Sequence, residues 1–213
     1  GVQLGLRARF PEIQVKLYCS GADEARVAET LDRAAGWARE RLGDLVFSDS
    51  GDPMEAVVGR LLRQRNASLA VAESCTGGLI SHWLTEVAGS SDYFRLAAVT
   101  YANEAKARVL GVSEEILARC GAVHPDTARD MAEGVRRLAG VTYGIATSGI
   151  AGPAGGSAEK PVGTVCIGLA APGQALGYRF QFNYGRRSMN KQMFAMKALD
   201  VLRRELLGLA HTP

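Results

Sequence analysis

From residue 53 onward the chain alternates helical and extended apolar patterns without interruption, and nothing else in it limits the possible folds so strongly. "PMEAVVGRLLRQR" (53–65) reads as a helix and "SLAVAE" (68–73) as a strand, and the turn after it opens a helix running to about Val87. "FRLAAVTY" (94–101) predicts a strand, followed by helices over "NEAKARVLG" (103–111), "SEEILARCG" (113–121) and "PDTARDMAEGVRRLAG" (125–140). "TYGIATSG" (142–149) is a strand that enters the glycine-rich loop "IAGPAGGSAEKPVG" (150–163). Two strands, "TVCIGLAAP" (164–172) and "ALGYRFQFN" (175–183), meet at a Pro-Gly turn, and a helix from Arg186 to about Leu207 closes the pattern. Such alternation predicts an α/β layered domain with a mixed sheet flanked by helices.

Residues 1–48 read differently, as a small α+β domain. "VQLGLRARF" (2–10) and "EIQVKLYCS" (12–20) alternate as strands about Pro11. "DEARVAETLDRAAGWARERLG" (23–43) has helical spacing and stops at a glycine, and "DLVFS" (44–48) reads as a short strand. The polar "DSGDP" (49–53) is the expected linker, which places a second domain over 53–208.

The 213 residues are 47% hydrophobic and 22% charged, a soluble globular balance with a formal charge of only +3. Basic residues are scattered in "RLLRQR" (60–65) and "RRELL" (203–207), which argues against nucleic acid as a partner. Cys19, Cys75, Cys120 and Cys166 form no C-x-x-C pair, and His82, His124 and His211 lack metal-ligand spacing. Reduced thiols in a cytoplasmic protein with no metal and no cofactor are the expectation. No apolar stretch is long enough to span a bilayer, and no basic-then-apolar signal pattern is found within these residues.

Three places have the residue types for chemistry. In "AVAESCTGGLISHW" (70–83) a strand feeds a helix, the position where α/β sheets hold ligands. Ser74, Cys75 and Thr76 are candidate nucleophiles there, and Gly77 and Gly78 let a phosphate or oxyanion approach the backbone. A helix capped by Ser74 or Thr76 explains the same segment. In "VTYANEAK" (99–106), Asn103 reads as a cap, placing Lys106 in a first turn whose dipole disfavours a cation. A lysine made neutral is a usable base for a serine hydroxyl, with Tyr101 in reach of both; an exposed lysine beside a half-buried strand tyrosine explains the same pattern more simply. The loop with Ser148, Gly149, Gly152, Gly155, Gly156, Lys160 and Thr164 is long enough to be functional, but matches neither phosphate-binding glycine fingerprint. "SMNK" (188–191) fits S-x-x-K, yet it lacks S-D-N and K-T-G partners and opens an amphipathic helix, so it is set aside.

Together "AESCTGG" (72–78), "AGSSDYF" (88–94), "VTYANEAK" (99–106), "LGVSEEIL" (110–117), "GAVHPDTARDMAEG" (121–134), "SGIAGPAGG" (148–156) and "EKPVGTV" (159–165) resemble the CinA family. More narrowly they resemble its C-terminal PncC-type nicotinamide mononucleotide amidohydrolase domain, over about residues 53–208. Residues 1–48 are similar to the K-homology-like domain that precedes it, although they contain no G-x-x-G nucleotide clamp. The resemblance implies an additional N-terminal molybdopterin-binding-like domain in the full-length protein, and homodimers.

It also implies hydrolysis of the carboxamide of nicotinamide mononucleotide to nicotinate mononucleotide and ammonia. The family's serine, tyrosine and lysine fall on Ser74, Tyr101 and Lys106. The expected mechanism has neutral Lys106 accepting the Ser74 proton, Tyr101 relaying or orienting it, and amides near Gly77 and Gly78 holding the oxyanion, a contribution of about 3–4 kcal/mol. Cys75, Thr76, the loop residues and Arg187 are the expected substrate contacts. The family's G-[DN]-R stretch reads "GRR" (185–187), so Arg187 keeps the arginine and Arg186 replaces an acid or amide; His124 stands where a capping serine is common. A nucleotide- or partner-binding module without deamidase activity is the other reading.

Overall fold

The computed structural model describes residues 1–211, which divide into two units at Pro53/Met54. In the first unit, β1 (Gln3–Arg9) and β2 (Glu12–Tyr18) pair antiparallel, with Leu4 opposite Leu17 and Leu6 opposite Val15. Helix α1 (Glu24–Leu42) starts at Asp23, whose carboxylate accepts the Ala25 and Arg26 amides, and ends at Gly43. The strand expected over 44–48 does not form. Gly43–Leu45 instead winds one 3₁₀ turn, and the sheet of this unit has only β1 and β2, so the segment finds no ladder to join.

The second unit is the predicted layered α/β domain. It contains α2 (Met54–Gln64), β3 (Leu69–Glu73), α3 (Leu79–Glu86), β4 (Phe94–Val99) and α4 (Asn103–Leu110). There follow α5 (Glu114–Cys120), α6 (Pro125–Ala139), β5 (Tyr143–Gly149), β6 (Thr164–Ala171), β7 (Gln174–Gln181) and α7 (Arg187–Leu207). The sheet order is β4-β3-β5-β6-β7; β3 is parallel to β4 and β5, while β6 and β7 return antiparallel. Every residue of β3 and β6 is buried, because helices cover both faces. α6 lies across one face with α4 and α5 beside it, and α7 covers the other with α2 and α3.

Three glycines explain how closely α6 seats. A Cβ at Gly144, Gly168 or Gly177 would come within 1.8–2.1 Å of a backbone oxygen of α6, at Ala132, Ala128 and Pro125 respectively. These glycines lie on β5, β6 and β7, and Gly168 pairs with Gly177, so bare backbone forms a shallow track for the helix.

The connections from β3 and β4 set the position of the site. The chain leaves β3 for α3 on the α7 face and leaves β4 for α4 on the α6 face. The carboxyl ends of these neighbouring strands therefore flank the point where the connections part, the usual ligand position in such sheets.

Candidate active site

Ser74 follows the last residue of β3, and its amide donates to the Thr147 carbonyl of β5 at 3.0 Å. On the other side, the Thr100 amide donates to the Glu73 carbonyl at 3.0 Å, extending the β3–β4 ladder beyond Val99. These two bonds fix the serine between its neighbours. It is 8% exposed.

Lys106 comes to it from α4. The helix begins at Asn103, and Ala102 holds the cap position with no side-chain bond, so the expected Asn103 cap is absent. The Lys106 amide closes onto the Ala102 carbonyl, and its side chain is fully buried. Its Nζ lies 3.2 Å from Ser74 Oγ and donates to the carbonyls of Thr100 and Tyr101, each at 2.9 Å. Burial holds its pKa below the ordinary 10.5, against smaller opposing effects of Cys75 and Glu104. A neutral amine has two N–H donors and one lone pair. In that neutral form the two carbonyls would take both donors, which would leave the lone pair for the serine hydroxyl.

Tyr101 plays a different part from the relay read from the sequence. The residue is 62% exposed, and its hydroxyl accepts from Arg187 Nη2 at 3.3 Å. It is the backbone carbonyl of Tyr101 that meets Lys106.

The turn after Ser74 contradicts a simple cap and also an anion site at the helix end. Gly77 and Gly78 have φ of 63° and 93°, left-handed values that favour glycine, and Gly78 caps α3 without a side-chain bond. Glu73, fully buried, folds its carboxylate over the helix start. It accepts from the amides of Gly78 (2.9 Å), Ile80 (3.2 Å) and Ser81 (2.9 Å) and from the Ser81 hydroxyl. The Gly78 amide expected to face an oxyanion is thus occupied, while the Gly77 amide has no partner among the described residues. Glu73 was missed because caps are sought one residue ahead of a helix; this acid reaches from the preceding strand.

Cys75 and Thr76 are not available as nucleophiles. Burial pushes the Cys75 thiol up to about 12, and its Sγ packs 3.3 Å from where a Cβ on Gly149 would sit. Thr76 Oγ1 and Thr147 Oγ1 lie 2.7 Å apart in the core.

The glycine-rich loop is closed at its base by Ile150 N to Thr164 O (2.8 Å) and Gly163 N to Ile150 O (2.7 Å). Ser148 is 1% exposed within β5. Thr164 is fully buried, its Oγ1 2.7 Å from both the Pro161 carbonyl and Gln181 Oε1, so this hydroxyl serves the loop itself. Lys160 reaches away, donating to the Cys120 carbonyl at 2.7 Å. Gly155 is exposed with φ of 91°, and Gly156 packs against Val162, where a Cβ would meet its amide at 2.7 Å. Gly152 is the point that meets α7: its carbonyl accepts from Arg187 Nη1 at 2.8 Å. Asn190, 1% exposed and not singled out in the sequence, adds a bond from Nδ2 to the Ala151 carbonyl at 3.0 Å.

Cys120 and His124, read as lacking metal-ligand spacing, nonetheless converge with Asp126, with ligand atoms within 4.8 Å of one another. His124 Nδ1 accepts the Asp126 amide as the cap of α6, in the place of the common serine, and Asp126 pairs with Arg129 at 3.0 Å. Helix capping and charge pairing account for both residues.

A mixed α/β sheet with a serine against a buried amine, where two connections diverge, defines the class: an α/β protein with a hydroxyl–amine site. The particular family follows from comparison, for residues 51–206 match the model of the CinA C-terminal domain, and the chain belongs to the CinA family. A CinA-like protein of Desulfosudis oleivorans is 53% identical over 207 residues, covering 97% of this chain and 50% of that protein. The chain spans about half the length of the CinA-like proteins it matches. Among solved structures, a CinA superfamily protein of Klebsiella pneumoniae superposes with a TM-score of 0.70 at 34% identity, covering 73% of this chain and 96% of that one. The competence/damage inducible protein CihA of Agrobacterium tumefaciens does so with 0.66 at 38% identity, covering 71% and 94%. Among the described residues, no helix is long and apolar enough to cross a membrane.

Proposed function

We propose that this chain is an amidohydrolase that converts nicotinamide mononucleotide to nicotinate mononucleotide and ammonia. One observation carries the reading: a fully buried Lys106 amine, 3.2 Å from Ser74 Oγ, with two backbone carbonyls taking its other hydrogen bonds. A module that only binds has no use for a proton acceptor buried beside a hydroxyl.

The chemistry follows from that pair. Ser74 Oγ attacks the carboxamide carbon as its proton passes to Lys106. Collapse of the tetrahedral intermediate breaks the C–N bond, and Lys106 returns the proton to the departing nitrogen, releasing ammonia. Water, deprotonated by the again neutral Lys106, attacks the acyl ester and frees the carboxylate and Ser74. The unpartnered Gly77 amide is the donor on this turn left for the oxyanion. The four free cysteines fit a reducing, cytoplasmic setting.

Ammonia release from nicotinamide mononucleotide tests the reading. The intact chain and Cys75→Ala are expected to release it, and Ser74→Ala is not. Silence from the intact chain would put the non-catalytic binding module ahead.

The pH dependence has a definite sign. Lys106 acts as a base only when neutral, and burial lowers its pKa from 10.5. kcat/KM therefore rises with pH along a limb whose midpoint lies below 10.5. A profile with no such limb would remove Lys106 as the base. Folding stability moves in the same direction. Between the lowered folded value and 10.5 the unfolded chain binds the extra proton, so this group favours the folded state increasingly as pH rises through that window.

A further inference from the structure

Lys191, the last residue of the S-x-x-K segment set aside in the sequence, stands against the turn that carries Ser74. Its Nζ lies 3.4 Å from where a Cβ on Gly77 would be. The glycine thus leaves a space between the lysine and the Gly77 amide, which has no partner among the described residues. Covalent geometry puts the Gly77 nitrogen about 2.5 Å from that same Cβ position, so the two donors are at most about 6 Å apart. One oxygen accepting from both at about 2.9 Å spans nearly this whole distance. The neighbouring residue fixes the lysine: Asn190, 1% exposed, donates to the Ala151 carbonyl and accepts the Tyr184 amide, each at 3.0 Å. The Lys191 side chain is half-buried, and among the described residues it meets no carboxylate.

We propose that Lys191 is the second oxyanion donor of the site, closing with the Gly77 amide on the carboxamide oxygen as that oxygen becomes negative. This rests on the amidohydrolase reading of Ser74 and Lys106. The tetrahedral intermediate of acyl transfer is held by preorganised donors, and the next amide of the turn is taken, because Glu73 accepts from Gly78 at 2.9 Å. Lys191 supplies the donor that the backbone lacks. Charge confines its effect to the transition state. Before attack, the pyridinium ring beside the carboxamide is positive and gains nothing from an ammonium. Once Ser74 has added, the oxygen carries a negative charge and draws the ammonium in. The two lysines therefore divide the work: Lys106 takes the Ser74 proton, and Lys191 donates a hydrogen bond and keeps its own.

The first test is the kinetics of ammonia release from nicotinamide mononucleotide by Lys191→Met and Lys191→Arg. Removing an oxyanion donor costs about 10²- to 10³-fold in kcat, so Lys191→Met is expected to lose that factor with KM little changed. Lys191→Arg keeps a cationic donor and is expected to return most of the loss. An unchanged kcat in Lys191→Met overturns the proposal, as does a loss confined to KM. The second test does not depend on turnover, and so separates this role from the amidase reading. Pyridine-3-boronic acid accepts a lone pair from Ser74 Oγ: an O–B bond forms, none breaks, the serine proton passes to Lys106, and the tetrahedral boron becomes negative. Calorimetry should show this adduct on the intact chain and not on Ser74→Ala, with affinity about 10- to 100-fold weaker on Lys191→Met. That result supports the donor role even where no ammonia is released. Equal affinity on the intact chain and Lys191→Met, or no adduct on the intact chain, overturns it.

Discussion

Lys106→Met is expected to lower kcat/KM for nicotinamide mononucleotide by at least about 10³-fold, with the sheet still folded. Methionine is of similar length and fills the buried space, but it has no lone pair for the Ser74 proton. Two carbonyls, of Thr100 and Tyr101, lose their donor at the same time, so a modest drop in stability accompanies the loss of turnover. The stronger form of the expectation concerns the pair. Nucleophile and base act as one unit, so Ser74→Ala combined with Lys106→Met should be no worse than either change alone. Steady-state ammonia release by the three variants measures this, and multiplicative losses would show that the two groups act independently.

Glu73→Ala should have the largest effect on stability. The carboxylate is fully buried and satisfies three amides and a hydroxyl at the start of α3. Alanine leaves these donors unpartnered next to a new cavity, at a cost of about 3–5 kcal/mol. For a unit of this size that lowers Tm by roughly 10 °C. Glu73→Gln keeps an oxygen acceptor and should lose about half as much. Thermal unfolding of the two variants checks the order, and a Glu73→Ala chain that melts with the parent would show that the helix start finds other partners.

The parts of the fold legible in the sequence are those set by local periodicity. Buried β3 and β6 are continuous apolar runs, and α6 has its apolar stripe with Pro125 at its first turn and Gly140 at its end. "DLVFS" fails because a strand exists only where another strand offers a ladder, which composition does not reveal. At the site, Ser74 and Lys106 were recognisable as residue types. Their approach across 32 positions depends on the parallel register of β3 with β4 and on the Thr100–Glu73 bond that prolongs it. The Tyr101 side chain was misjudged because its carbonyl, not its phenol, faces the amine. Backbone groups carry no signature in a sequence.

The edge position of β4 has a consequence of its own. Among the described residues this strand is bordered by β3 alone, and the two carbonyls that steady the amine belong to the residues just after it. Fraying of a single outer ribbon would withdraw the proton acceptor while the helices stay wound. Warming should therefore silence ammonia release at a lower temperature than it collapses the far-ultraviolet dichroism, and saturating substrate should narrow that interval. Catalysis in this molecule would then serve as a thermometer for the seating of one marginal strand.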